Sequence, residues 1–209
     1  MNSRVWDKLA AKYDRLWVQK YLLGPTRTKI ASLLSERFGG RGFALLDAGC
    51  ATGQLLHEIK NRQEGVLLFG IDKSGEMIRR AKERAPRANL FCADLDSRDL
   101  TSYISENSLD AITCCHSFPY YRDKKAVLAN LKKVLKDDGV MIFAQASINN
   151  MYDRLVMAAV EKTAEPAEYL SRRDFRRLAE AEFSILSEFA VKERFYMPSI
   201  CGFVLVKRL

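Results

Sequence analysis

Three carboxylates and one glycine-bracketed bend carry the first chemical signal in this sequence. Asp47, Asp72 and Asp94 each close an apolar run: Phe43-Ala44-Leu45-Leu46, then Val66 to Ile71, then Leu90 to Ala93. After Asp47 comes Ala48-Gly49-Cys50-Ala51-Thr52-Gly53, and a helical pattern runs from Gln54 to Arg62. Gly49 and Gly53 suit a tight strand-to-helix turn in which a ligand approaches the backbone closely. The N–H groups opening the helix favour a carboxylate or phosphate. A dinucleotide fingerprint would want glycines where this chain has Gly49, Ala51 and Gln54, and glutamine in the third place argues against it. One imidazole, His116, follows a fourth apolar run, and its ordinary pKa of about 6.5 suits general-base work.

The Asp-x-Gly-x-Ala-x-Gly spacing of Asp47, Gly49, Ala51 and Gly53 is similar to motif I of the class I S-adenosylmethionine-dependent methyltransferases. Further matches follow in order. Asp72 stands 25 residues after Asp47, and Asp72-Lys73-Ser74-Gly75-Glu76-Met77 looks like that family's D-x-S-x-x-M stretch. Asp94-Leu95 resembles its adenine clamp, with Asp96 and Asp99 as nearby acids that do not directly end the strand. Leu109 to Phe118 resembles its fourth strand, with Asp110 in a structural place at the start.

The resemblance covers residues 40–146 and implies S-adenosyl-L-methionine as cofactor, S-adenosyl-L-homocysteine as product and no metal. It places Asp47, Gly49, Cys50, Ala51 and Gly53 around the cofactor. Asp72 and Lys73 would lie at the ribose, Met77, Asp94 and Leu95 at the adenine, and Cys115 near the methyl donor. Trp6-Asp7-Lys8-Leu9-Ala10-Ala11-Lys12-Tyr13-Asp14 resembles the opening of small-molecule branches such as the ubiquinone and menaquinone methyltransferases. There the tyrosine, here Tyr13, reaches the site from a lid helix. Met77 and Tyr13 each keep a second reading, as core residues of amphipathic helices. Ser117-Phe118-Pro119-Tyr120 resembles the adenine- or glutamine-gripping tetrapeptide of amino-group methyltransferases, but Phe118 and the late start in the strand argue against it.

The elements that must position these residues alternate. Apolar runs of four to seven residues separated by helical patterns mean a parallel sheet covered on both faces, and the right-handed crossover rule makes it doubly wound. A helix from about Gly75 to Arg84 stops before Pro86, and Asp123 to Leu135 is a strongly amphipathic helix. Asp137-Asp138-Gly139 then turns the chain into the fifth strand, Val140 to Ala144. Asn149 to Lys162 reads as a helix broken near Pro166, and Ser171 caps another. Phe183 to Tyr196 and Ile200 to Lys207 read as an antiparallel pair joined at Pro198. The expected fold is α/β: a doubly wound, Rossmann-like, mostly parallel seven-stranded sheet with an antiparallel last strand and an N-terminal helical lid. One domain is expected over 1–209, with lid helices in 1–38, the cofactor core in 40–146 and a substrate side in 147–209.

With 48% apolar residues the chain has a core to bury, which excludes a disordered protein. The net charge of +8 raises nucleic acid, yet the basic residues are scattered as Lys124-Lys125, Lys132-Lys133, Arg172-Arg173, Arg176-Arg177 and Lys207-Arg208 on expected helix faces. Five cysteines form no Cys-x-x-Cys pair, which argues against zinc, and three lie in apolar runs as small hydrophobes suited to a reducing cytoplasm. No run approaches the roughly 18 apolar residues of a membrane span, so no membrane role is expected. A monomer or homodimer fits equally.

Methyl transfer demands alignment and exclusion of water more than a fixed acid or base. His116 stands as the tentative base or as a pocket wall. Tyr13, Phe118, Tyr120, Tyr121 and, from beyond the fifth strand, Met151, Tyr152 and Met157 make a partly apolar acceptor pocket. The expected acceptor is a small molecule; the alternatives are an RNA or protein acceptor, then a non-catalytic nucleotide-binding module.

Overall fold

The computed structural model describes residues 3–161, 167–191 and 198–208. Seven strands form one sheet: β1 (Ala44–Ala48), β2 (Leu67–Asp72), β3 (Asn89–Cys92), β4 (Leu109–Cys115), β5 (Leu135–Ala146), β6 (Phe183–Val191) and β7 (Ile200–Lys207). Their spatial order is β3-β2-β1-β4-β5-β7-β6, with β1 to β5 parallel and β7 antiparallel to both neighbours. This is the doubly wound arrangement expected from the sequence.

Helices α1 (Ser3–Tyr13) and α2 (Gly24–Phe38) precede β1, separated by a π-helical turn at Gln19–Leu23. Then come α3 (Gln54–Arg62), α4 (Gly75–Arg84), α5 (Lys124–Val134), α6 (Met151–Glu161) and α7 (Arg172–Ala179). Local chemistry sets these starts. Ser74, Asp123 and Ser171 cap α4, α5 and α7, each accepting from a backbone N–H in the first turn. The sheet buries both faces by its two-residue period. Met141, Phe143, Phe203 and Leu205 fill one side, while Val140, Ile142, Ala144 and Val204 fill the other.

Some details differ from the sequence reading. Asp137-Asp138-Gly139 does not precede β5 but bows out of it: Leu135 pairs with Leu109 and Val140 with Ala111. The excursion persists because Leu135 is buried and Lys136 is held 2.6 Å from Asp110, whose other oxygen accepts from Ala44 N. Asp110 thus has a structural position, as expected. Cys92 is exposed at the edge strand rather than buried, while Cys50, Cys114 and Cys201 are buried; all five cysteines are free. β6 is described to Val191, so the expected strand through Tyr196 lies partly outside the described residues, as do Lys162 and Pro166.

Several basic groups have acidic partners: Lys132 with Glu182, Lys133 with Asp99, Arg172 and Arg176 with Glu188, and Lys207 with Asp137. These are mostly exposed pairs of small energetic weight. Among the described residues no helix is long and apolar enough to cross a membrane.

Candidate active site

The strand order reverses between β1 and β4, and open α/β sheets bind ligands at the carboxyl ends beside such a point. The β1–α3 bend is built by hydrogen bonds to β2. Gly49 N and Cys50 N both donate to Ile71 O, at 2.8 and 3.0 Å, and Ala51 N donates to Asp72 Oδ2 at 2.9 Å. Gly49, Ala51 and Gly53 all have positive φ, at 79°, 46° and 74°. The two glycines serve packing more than ligand clearance. A Cβ on Gly49 would fall 2.3 Å from Ser117 Cβ, and one on Gly53 would fall 3.1 Å from Ala81 Cβ. Ser117 closes this seam by donating to Ala48 O at 2.6 Å.

Beyond the bend lies a cavity at the carboxyl ends of the strands. Gly49 and Ala51 line it from the bend, Asp72 and Lys73 from the end of β2, and Met77 from α4. Asp94 and Leu95 contribute from the end of β3, Cys115 and His116 from β4, and Tyr13, Tyr120 and Tyr121 complete the wall. A second, smaller chamber shares Tyr13, Gly49, Ala51 and Cys115 and adds Asp47, Cys50, Arg27 and Gln54.

Charge is arranged unevenly here. Asp72 accepts from Ala51 N and Ser74 N, both at 2.9 Å, which leaves lone pairs for further donors. Burial raises its pKa, and those two backbone donors oppose the rise. Asp47 is 3% exposed and accepts from Thr113 Oγ at 2.8 Å. Burial pushes its pKa up to about 7. In the second chamber it shares space with Arg27, which is paired with Glu58 at 2.7 Å and donates to Gln19 at 2.8 Å. Burial holds Cys50 and Cys115 well above the ordinary thiol range, so both are protonated. The buried hydroxyl of Tyr121 neighbours Ser117, and burial holds its pKa well above the ordinary phenol range.

The first helix covers the cavity. Trp6 meets Tyr120 edge-on with ring centroids 5.0 Å apart, and both line the cavity. Asp7 accepts from Ser74 Oγ at 2.5 Å and Glu76 N at 3.3 Å, at the start of α4. Asp14 accepts from Thr52 Oγ1 at 2.6 Å, Gln54 Nε2 at 3.0 Å and Arg84 at 2.6 Å. These contacts tie the Trp6–Asp14 segment to α4 and to the β1–α3 bend.

His116 has φ +60°, and its Nε2 lies 3.1 Å from Thr26 Oγ1. Burial first, then the Arg27 cation, lowers its pKa to about 3, which disfavours the expected general-base role. Phe118 and Tyr152 do not join the site. Phe118 is 0% exposed, stacked edge-on with Tyr121, Phe143 and Phe175, because the turn at Phe118–Tyr120 points it into the core. Tyr152 is 43% exposed on α6, whose inner face is set by Asp153 and Met157; Met157 is core and Met151 lies open. Sequence reasoning missed Arg27, Gln54 and Ser117 as site residues. It quoted Trp6 only within a motif, where the position before Asp7 was the available signal.

The fold is shared with solved structures of methyltransferases. Residues 46–141 match the family model described as a methyltransferase domain. Over 150 residues the chain is 27% identical to the tRNA N(3)-methylcytidine methyltransferase trm140 of Schizosaccharomyces pombe, covering 68% of this chain and 48% of that one. The chain spans about half the length of the first curated relatives it matches. Among solved structures it resembles a methyltransferase in complex with the Trm112 methyltransferase activator of Haloferax volcanii, with TM-score 0.78, 16% identity and 98% of each chain covered. It also resembles magnesium protoporphyrin IX methyltransferase of Synechocystis PCC 6803 with bound S-adenosylhomocysteine, with TM-score 0.74, 18% identity and 99% of each chain covered. Among the described residues no three His, Cys, Asp or Glu side chains gather as a metal site.

Proposed function

We propose that this chain is an enzyme that transfers a methyl group from S-adenosylmethionine to an acceptor entering beside His116 and Tyr120, and that the acceptor is RNA. The observation that carries the cofactor reading is the convergence of Asp72 and Asp94, at consecutive strand tips, on one cavity with the Gly49–Ala51 bend. The residues fit the group. Asp72 has lone pairs left for the ribose hydroxyls, and Asp94 with the Leu95 backbone suits the adenine edge. Met77 supplies apolar surface, while Asp47 and Arg27 oppose the ammonium and carboxylate of a methionine tail.

When bound, the sulfonium supplies a methyl group to an acceptor lone pair, the S–C bond pair returns to sulfur, and any displaced proton leaves to water. The chain's own task is alignment and exclusion of water, which is worth on the order of 7–11 kcal/mol. Trp6 and Tyr13 on the lid perform the exclusion. In this reading residues 1–38 form the lid, 40–146 the cofactor core and 147–209 the acceptor side.

The RNA reading is supported by three relatives named as tRNA methyltransferases and by the net charge of +8. It displaces the small molecule expected from the sequence. That second reading retains one observation in its favour, the Trp6–Tyr120 aromatic pair that lines the cavity. Incubation with methyl-labelled cofactor and either bulk tRNA or a low-molecular-weight metabolite extract separates them. Label in tRNA, with binding that falls steeply with salt, supports the proposal. Label only in the extract transfers the assignment to the small molecule, and label in neither removes the RNA reading.

A further inference from the structure

Thr26 stands between two hydrogen-bonding neighbours and has a single hydroxyl proton to give. Its Oγ1 lies 2.8 Å from Leu22 O and 3.1 Å from His116 Nε2. A carbonyl oxygen only accepts, so the hydroxyl proton satisfies Leu22. Both contacts are then bonds only if His116 carries its proton on Nε2 and donates to Thr26. The other ring nitrogen, Nδ1, is left with a bare lone pair, and it makes no hydrogen bond among the described residues.

We infer that His116 is locked as the Nε2–H tautomer and presents Nδ1 as a fixed hydrogen-bond acceptor to the incoming methyl acceptor. The site thereby selects acceptors that carry an N–H or O–H beside, or on, the atom to be methylated. This rests on the methyltransferase reading and adds a specificity-determining residue to it. His116 orients and takes no proton.

Three further observations fit. His116 lines the cavity next to Cys115, where β4 ends. Its backbone is held in a left-handed conformation at φ +60°, with its N–H donating to Ala144 O at 2.8 Å. Strained non-glycine conformations persist where surrounding structure enforces them, often at ligand sites. Burial and the neighbouring Arg27 cation keep the ring neutral, with a pKa lowered to about 3, so the Nδ1 lone pair survives at any physiological pH.

The chain has two histidines, so its ¹⁵N-histidine spectrum is readily assigned with a His57→Gln variant. With S-adenosylhomocysteine added, the His116 Nδ1 signal is expected in its unprotonated form and unchanged from pH 5.5 to 8. A protonated Nδ1, or titration within that window, overturns the inference. The reading needs no acceptor, and failure of the ligand to bind at all would sink the methyltransferase proposal while leaving the tautomer measurable.

A pair of variants tests the positioning role on transfer to bulk tRNA. Asparagine tolerates positive φ and its amide oxygen can stand in for Nδ1, whereas alanine offers no acceptor. His116→Ala should raise the acceptor KM about tenfold, the value of one lost hydrogen bond of about 1.4 kcal/mol, and change S-adenosylhomocysteine affinity by less than that. His116→Asn should recover most of that loss. An asparagine variant no better than alanine contradicts the inference.

Discussion

The Asp14 carboxylate lies 2.6 Å from the Arg84 guanidinium, 70 residues away in sequence, and this pair fastens the end of the first helix beside the ligand cavity. Arg84 also donates to Thr52 O and Thr52 Oγ1, both at 2.8 Å, so one side chain holds the first helix and the bend together. Burial works against ionisation of Asp14, but the Arg84 and Thr52 hydrogen bonds outweigh it and lower its pKa. The latch therefore contributes above the ordinary carboxylate range and is lost only as pH falls through that lowered value.

Cutting this latch should loosen ligand retention more than it harms the fold. Arg84→Ala removes a partly exposed charged pair worth about 1 kcal/mol. The expected outcome is several-fold faster dissociation of S-adenosylhomocysteine, read by stopped-flow fluorescence of Trp6 and Trp17, at little cost in thermal stability. Unchanged dissociation would show that the lid is held by other contacts.

Ligand binding should release a proton near neutrality. Asp47 has its pKa raised to about 7 by burial, and a ligand ammonium placed in its chamber would pull that value down. An acid raised in the folded state binds its proton more tightly there than in the unfolded chain. The ligand-free protein should therefore lose stability as pH rises from about 4 to 7 and level off above. Calorimetry in buffers of different ionisation enthalpy should show up to one proton released per ligand at pH 6 and almost none at pH 8. Proton uptake at pH 6, or no exchange, would place the ammonium elsewhere.

Gly49→Ala should be the more damaging of two glycine changes at the bend. Positive φ strains an alanine at both positions, but at Gly49 the new methyl would meet Ser117 Cβ at 2.3 Å, whereas at Gly53 the closest approach is 3.1 Å. Overpacking of that kind costs about 1–3 kcal/mol. Chemical denaturation is expected to rank Gly49→Ala below Gly53→Ala in stability. Equal losses would mean that Ser117 yields more readily than its bond to Ala48 O suggests.

The parts of the fold governed by local pattern were legible in the sequence. The helices Gln54–Arg62 and Gly75–Arg84 and the strand Leu109–Cys115 coincide with their apolar periodicity and caps, because those signals act within a few residues. The strand-end acids were legible for the same reason: each ends an uninterrupted apolar run. What escaped depends on distant packing. Phe118 and Tyr121 are similar neighbours in sequence, and only the short helical turn between them sends one to the core and the other to the cavity. Arg27 and Thr26 sit in a helix with no local signal of function, and they reach the site because that helix packs against β4. The glycine bend was read correctly as a bend, but its missing side chains make room for Ser117 and Ala81.

The central claim is that Asp72 grips the ribose of an adenosyl ligand, and a double cycle tests it directly. Calorimetry would compare S-adenosylhomocysteine with its analogue lacking both ribose hydroxyls, on the unaltered protein and on Asp72→Asn. Hydrogen bonds to a charged group are worth about 1.5–3 kcal/mol, so the unaltered protein should prefer the complete ligand by at least about tenfold. Asp72→Asn should lose most of that preference. Equal affinity of the unaltered protein for both ligands, or a preference that survives in Asp72→Asn, would contradict the account.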